Sequence, residues 1–148
     1  MRLDRPSPAS RLVVLAVFSA LASTAFAAAP EGTWTTADGL AQVRVAPCGA
    51  RLCGVIVWLK RPLDKLSGQP RTDGFNPDPA LRGRPMLGLP VIRGFAPASP
   101  GRWTGGRIYD PDSGRTYESR MTLEANGDLK VEGCFLIFCK AQIWTPAR

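Results

Sequence analysis

The residues of this chain that could do chemistry are its carboxylates and its cysteines, because its 148 residues include no histidine. Without an imidazole, the Ser–His and Cys–His nucleophile pairs and most zinc hydrolase sites are excluded. An enzyme would have to use carboxylate acid–base chemistry, and Asp73 and Asp78 of the stretch TDGFNPDPALRGRP are the candidates. Asp110 and Asp112 lie in YDPDSG, where turn capping is the simpler role. We therefore predict that the protein is not an enzyme.

Residues 1–27 have the composition of a secretory signal peptide. They contain Arg2, Arg5 and Arg11, the apolar run LVVLAVFSALA, and a small-x-small cleavage site, AFA, that ends at Ala27. A membrane anchor is the alternative, but a spanning helix needs about 20 apolar residues. We expect cleavage after Ala27, which leaves residues 28–148 as one exported domain without a transmembrane segment.

The four cysteines occur as two pairs with equal spacing, CGARLC (Cys48, Cys53) and CFLIFC (Cys134, Cys139). Export permits disulfides, and four cysteines allow three pairings. The local pairing, Cys48–Cys53 and Cys134–Cys139, is favoured because each pair can face its partner across a short turn. The C-x₂-C spacing of zinc and redox sites is absent, and DGFNPD lacks the oxygen pattern of an EF-hand. We expect no metal and no cofactor.

The charge of the chain is positive but dispersed. The full chain carries +7, and removal of residues 1–27 takes away three Arg and one Asp and leaves +5. The basic residues form no block, which predicts solubility and a mild attraction to anionic surfaces. Nucleic acid is not an expected partner, since the chain has no recognisable nucleic-acid motif.

The elements that must position these residues are strands. Alternating or apolar runs between turn signals predict about eight of them: GTWTTA, LAQVRVA, CGVIVWL, LGLPVIRGF, RWTGGRIYD, RTYESRMTLE, LKVEGCF and CKAQIWT. The continuous apolar run CGVIVWL indicates a strand covered on both faces. The pair Gly105–Gly106 indicates a bulge, and Asp78 is placed to cap one helical turn in DPALRG. An all-β protein of this kind is a closed antiparallel barrel or a sandwich, and filling of its core is the simplest role for its aromatic residues.

A long connection interrupts the strands between Lys60 and Met86 and contains five prolines. Connections of this length are usually functional or disordered. We expect an ordered flap with four apolar anchors, Phe75, Leu81, Met86 and Leu87. The candidate functional residues of the chain are Asp73, Asn76, Asp78, Arg82 and Arg84 of this flap, with Tyr109 and Tyr117 on neighbouring strands. Two roles remain open: a clasp over one barrel end, with Asp73 paired to Arg82 or Arg84, or contact of these arginines with an anionic ligand.

The whole pattern resembles a known family. GTW, VRVAPCGARLCGVIVWL, DGFNPDPALRGRPMLGLPVIRGF, WTGGRIYDPDSGRTYESRMTLEANGDLKVEG and a late Trp occur in this order, which is similar to the domain of unknown function 2147. Members are small exported bacterial proteins, so the resemblance implies a lipocalin-like β-barrel in the periplasm. In lipocalin-like barrels an Arg packs over the Trp of Gly-x-Trp by a cation–π contact, which implies that Arg148 closes the barrel over Trp34. CFLIFC stands where the family more usually has a Gly-rich turn without cysteine.

Two functions follow from this fold and are kept open. The first is a binding module for a small apolar or amphiphilic ligand, such as a lipid fragment. The second is a structural or interaction protein of the cell envelope whose barrel is filled and holds no ligand. The interior discriminates between them, because ligand cavities begin at about 300 Å³.

Overall fold

The computed structural model describes residues 29–148, so the expected signal peptide lies outside the described residues. Eight antiparallel strands follow one another around a closed barrel, and the last strand pairs with the first. This confirms the predicted all-β barrel. The strands are β1 (Gly32–Thr35), β2 (Ala41–Cys48), β3 (Arg51–Leu59), β4 (Pro90–Ser99), β5 (Arg102–Asp110), β6 (Arg115–Leu123), β7 (Leu129–Phe135) and β8 (Phe138–Pro146).

Alternation along each strand separates the barrel interior from solvent. On β2, for example, Val43 and Val45 are buried, whereas Arg44 between them is exposed. The prediction for CGVIVWL was wrong in this respect: β3 buries Ile56 and Leu59 but leaves Trp58 41% exposed. A strand in a barrel wall has one face toward the interior and one toward solvent, so burial still alternates along an apolar run.

The hydrophobic core lies inside the barrel. It contains bulky residues that include Trp34, Phe95, Trp103 and Met121. Gly106 makes room for this packing, because a Cβ at that position would overlap the ring of Phe95. The register of β5 against β6 shifts between Trp103 and Gly106, which confirms the predicted bulge.

The long connection between β3 and β4 is ordered by its own backbone pairing. Leu63 bridges to Pro70 and Thr72 bridges to Pro85, and Asp78 caps a single 3₁₀ turn at Pro79–Leu81 as predicted. The residues next to each bridge make its hydrogen bonds, as Asp73 N–H does to Arg84 O at 3.0 Å and Met86 N–H to Arg71 O at 3.0 Å, so the missing N–H of proline costs no pairing.

Of the four predicted apolar anchors, Met86 alone is buried. Phe75 is 69% exposed, and Leu81 and Leu87 are exposed as well. The anchor prediction was therefore wrong for these three residues. Instead, the main chain of Phe75 packs against Gly114 in the β5–β6 turn, so closely that a Cβ on Gly114 would overlap it.

The barrel closes through hydrogen bonds between β1 and β8. Trp34 pairs with Pro146 and Thr35 with Thr145, and Ala147 N–H donates to Thr33 O at 2.9 Å. The expected contact of Arg148 with Trp34 is not formed: Arg148 is exposed, and Trp34 Nε1 donates to Pro30 O at 2.8 Å. The cation–π contact that occurs within residues 29–148 joins Arg84 to Tyr109. Arg148 does not reach the Trp34 ring because β8 pairs with β1 along the wall of the barrel, and Arg148 lies beyond that pairing.

Both expected disulfides are present, Cys48–Cys53 across the β2–β3 turn and Cys134–Cys139 across the β7–β8 turn. Within residues 29–148 no helix is long and apolar enough to cross a membrane.

Candidate functional site

The connections β1–β2, β3–β4, β5–β6 and β7–β8 meet at one end of the barrel, because every strand is antiparallel to its neighbours. We call this the open end, since a cavity of about 360 Å³ enters the barrel there. Its apolar floor consists of Val43, Ile56, Val91, Val131 and Trp144. These five residues also belong to the hydrophobic core, so the cavity reaches down to the packed interior of the barrel.

A second depression, of about 560 Å³, lies at the opposite end between the β2–β3 and β4–β5 turns. It is larger, but its wall is made mainly of proline, alanine and glycine. Ala29 and Pro30, where the described chain begins, form part of that wall. We place the candidate site at the open end, because the cavity there has a floor of buried core residues and several charged groups.

Polar side chains surround the mouth of the open-end cavity, and most of them already have partners. Arg71 Nη2 donates to Asp112 Oδ1 at 2.9 Å. Asp38 accepts from Leu40 N–H at 3.0 Å, and Asp110 accepts from the Ser113 hydroxyl at 2.6 Å. These carboxylates are therefore engaged by groups of the protein, and a ligand would have to compete with those partners.

Lys140 is the exception at this mouth. It lies on β8 opposite Gly133, on the strand face that also carries Gln142 and Trp144. Among residues 29–148 it forms no salt bridge, while Gln142 accepts a hydrogen bond from Trp144 Nε1 at 3.0 Å. The cavity thus offers one cation without an ionic partner beside an apolar floor. Sequence reasoning missed Lys140, although the alternation of CKAQIWT places it on the same face as Trp144.

Next to the cavity lies a buried polar cluster formed by Asp73, Asn76, Arg84 and Tyr109. The Asp73 side chain is fully buried. Its Oδ2 accepts from Arg84 Nη2 at 2.8 Å, from Arg84 Nε at 2.9 Å and from Asn76 Nδ2 at 2.7 Å. Its Oδ1 accepts from the Tyr109 hydroxyl at 2.5 Å. Every buried polar side-chain atom of the described residues has a hydrogen-bond partner.

The cluster joins the long connection to the barrel wall. Asp73, Asn76 and Arg84 come from the connection, whereas Tyr109 comes from β5. Burial raises the pKa of Tyr109, and the hydrogen bond to Asp73 and the charge of that carboxylate raise it further. Tyr109 therefore keeps its proton and remains a donor to Asp73 at any pH below its ordinary titration range.

The predicted candidates divide into two groups. Asp73, Asn76 and Arg84 meet Tyr109 in the cluster, and Arg82 Nε donates to Asn76 O at 2.7 Å. None of the five flap candidates lines the cavity, whereas Tyr109 and Tyr117 do. This arrangement favours the clasp role for the flap residues and leaves ligand contact to the tyrosines and Lys140.

Within the described part of the chain, no three His, Cys, Asp or Glu side chains are grouped so that they could hold a metal ion. All four cysteines are in disulfides. Asp38, Asp78, Asp110 and Asp112 at the open end are spread over three connections, and each is engaged with its own turn or with a single arginine.

Comparison with known proteins agrees with this architecture. Residues 32–146 match the family model described as "Uncharacterized protein conserved in bacteria (DUF2147)". Among solved structures, the chain is similar to protein HP1028 from Helicobacter pylori, which is described as belonging to the lipocalin family. The TM-score is 0.68 at 21% sequence identity, over 80% of this chain and 82% of that one. No curated protein matches the chain.

Proposed function

This chain belongs to the DUF2147 family of bacterial proteins, and we propose that it is an exported module that binds one small apolar or amphiphilic ligand in the open end of its barrel. The observation that carries the proposal is the cavity of about 360 Å³. It exceeds the size of about 300 Å³ at which ligand pockets begin. Eight-stranded barrels of this size either fill their interior or leave room for one small ligand.

The chemistry of the cavity supports an amphiphile with an anionic head. The floor of valine, isoleucine and tryptophan would take an apolar tail, because burial of apolar area contributes about 25 cal/mol per Å². Lys140, Tyr109 and Tyr117 line the same cavity. An acidic head group would therefore lie at the mouth, where Lys140 would gain the ionic partner that residues 29–148 do not supply.

The proposed role is non-enzymatic and its proposed location is the periplasm. The absence of histidine from the sequence and the engagement of all four cysteines in disulfides support the first statement. The disulfides also support export, because such bonds persist in oxidising compartments. A function in the cell envelope through the outer surface alone is the competing hypothesis, and it requires that the cavity stays empty.

The test is native mass spectrometry of the protein purified gently after export, followed by solvent extraction of bound material. We expect a defined added mass that disappears on denaturation. Gly133→Leu should abolish it, because the new side chain would project from β7 into the cavity. Ala141→Leu is the matched control, since it adds similar bulk at an exposed position of neighbouring β8.

Lys140→Gln should weaken retention of an acidic ligand while leaving the fold intact, because Lys140 is exposed. An unliganded mass that persists after incubation with envelope lipids would overturn the proposal. Equal ligand retention by Gly133→Leu and Ala141→Leu would show that the ligand binds elsewhere.

A further inference from the structure

The β7–β8 hairpin presents four consecutive apolar side chains to solvent. Phe135, Leu136, Ile137 and Phe138 are exposed by 68%, 83%, 86% and 74%. The disulfide Cys134–Cys139 ties the hairpin directly behind them. Large apolar side chains grouped on a surface mark interaction sites, and here they occupy a projecting tip.

The backbone of the tip shows that its apolar character is kept at a conformational cost. Leu136 has a φ of 55° and is the only non-glycine residue among residues 29–148 with positive φ. Two-residue hairpin turns normally place Asn or Gly at such positions, because a bulky side chain in the left-handed region costs roughly 1–2 kcal/mol. Turn formation alone would therefore select a polar residue or glycine here, so another property favours leucine.

The apolar tip is at the open end, and other exposed apolar residues lie at the same end. Leu66 is 98% exposed at the tip of a small turn in the β3–β4 connection. Leu63, Phe75 and Leu87 of that connection are also exposed. Several exposed large apolar residues of the described chain lie in strands, but Ile143 is the only one of them that lies away from the open end.

Cations adjoin both projecting tips. Lys65 directly precedes Leu66, and Lys140 directly follows Cys139. Neither forms a salt bridge within residues 29–148. The carboxylates nearby are engaged locally, as Asp64 is with the N–H groups of Leu66 and Ser67. Apolar side chains flanked by lysine are the arrangement that inserts at an anionic lipid surface, since lysine reaches the head groups while the apolar group enters the acyl boundary.

We propose that the Phe135–Phe138 tip inserts into the surface of an anionic lipid bilayer and places the open end of the barrel against the membrane. A second copy of the chain fits the tip less well. Stable protein interfaces bury about 800 Å² per partner through 20–30 residues, whereas this tip consists of four residues on a narrow hairpin. Docking to the bilayer does not depend on a ligand in the cavity and is separable from the proposed binding function.

The experiment is sedimentation of the protein with vesicles of phosphatidylethanolamine and phosphatidylglycerol, compared with vesicles of phosphatidylcholine alone. The test variant is Leu136→Asn with Ile137→Ser. Asparagine tolerates positive φ, so the hairpin keeps its turn while the two most exposed apolar side chains of the tip are replaced. The control is Ile143→Ser, which removes an exposed apolar side chain from the wall of the barrel. Thermal unfolding of each variant verifies that it is folded.

We expect the wild-type protein and Ile143→Ser to sediment with the anionic vesicles, and the tip variant to lose roughly tenfold or more of the partition coefficient. Binding to phosphatidylcholine should be weaker. Equal partitioning of tip variant and control would overturn the proposal. So would dimerisation that the tip variant abolishes without any vesicle binding, because the occupant would then be a second copy. Gly133→Leu should leave vesicle binding unchanged even if it abolishes ligand retention, so the two proposals fail independently.

Discussion

At the scale of single residues, Asp73 joins the β3–β4 connection to the barrel wall. Its fully buried carboxylate accepts from Arg84, Asn76 and Tyr109, which come from both the β3–β4 connection and the barrel wall. A buried charge is tolerated only when it is paired and hydrogen-bonded. The cluster therefore holds the connection to the barrel mainly by polar contacts, which explains how Phe75 and Leu87 can remain exposed.

Asp73→Ala should lower the free energy of unfolding by about 2–4 kcal/mol, because it leaves Arg84, Asn76 and Tyr109 without their acceptor. Arg84 is 29% exposed and can recover some hydration, which limits the loss. Asp112→Ala is the matched control: it also removes an arginine partner at 2.9 Å, but Asp112 is 65% exposed and the cost should stay below about 1 kcal/mol. Urea unfolding measures both, and equal losses would contradict a clasp centred on Asp73.

The sequence alone indicated part of this cluster. Pairing of Asp73 with Arg82 or Arg84 was a stated alternative, because opposite charges in one Pro-rich connection tend to meet. Tyr109 was among the predicted candidates, but its hydrogen bond to Asp73 was not predicted, since the two residues lie 36 positions apart along the chain and only the fold brings them together. Lys140 was not predicted as a site residue, because a lysine in a strand is most often a solvated surface residue.

At the scale of elements, local rules predict the strands and turns well and the depth of burial less well. Alternation and the turn signals between the strands place most strand limits correctly, because both are encoded within a few residues. The prediction for CGVIVWL was wrong because the apolar content of a segment does not show whether one face or both faces of the strand will be buried. The bulge at Gly105–Gly106 was predicted from the glycines, but the ring that leaves no room for a Cβ at Gly106, that of Phe95, comes from the neighbouring strand β4.

The two glycines of the bulge should respond differently to substitution. Gly106→Ala should destabilise by roughly 1–3 kcal/mol, since its Cβ would overlap Phe95. Gly105→Ala meets no atom within 4 Å but has a φ of 67°, so strain alone should cost about 1–2 kcal/mol. Phe95→Leu should partly relieve the cost of Gly106→Ala and have no such effect on Gly105→Ala. A double-mutant cycle measured by chemical unfolding shows the difference, and additivity at both sites would refute this account.

At the scale of the whole molecule, the barrel depends on its closing seam. The resemblance to a lipocalin-like family correctly gave the fold, but it implied closure by Arg148 over Trp34. In this chain the ends are joined by backbone pairing instead, with Trp34 opposite Pro146 and Ala147 bonded to Thr33. A side-chain contact inferred from a family resemblance is less certain than the fold itself. A small change near the end of the chain can move the last side chain without changing the strand order.

Removal of residues 145–148 should therefore destabilise the protein by roughly 2 kcal/mol or more, since it deletes the paired positions of the seam and the hydrogen bond from Ala147. It would also expose a strand edge, which favours association between molecules. Arg148→Ala is the matched control and should change the free energy of unfolding by less than about 0.5 kcal/mol, because Arg148 is exposed. Chemical unfolding gives the energies, and sedimentation velocity detects the association. If Arg148→Ala were as damaging as the deletion, closure would depend on the arginine side chain, and the backbone seam would be a secondary feature of the barrel.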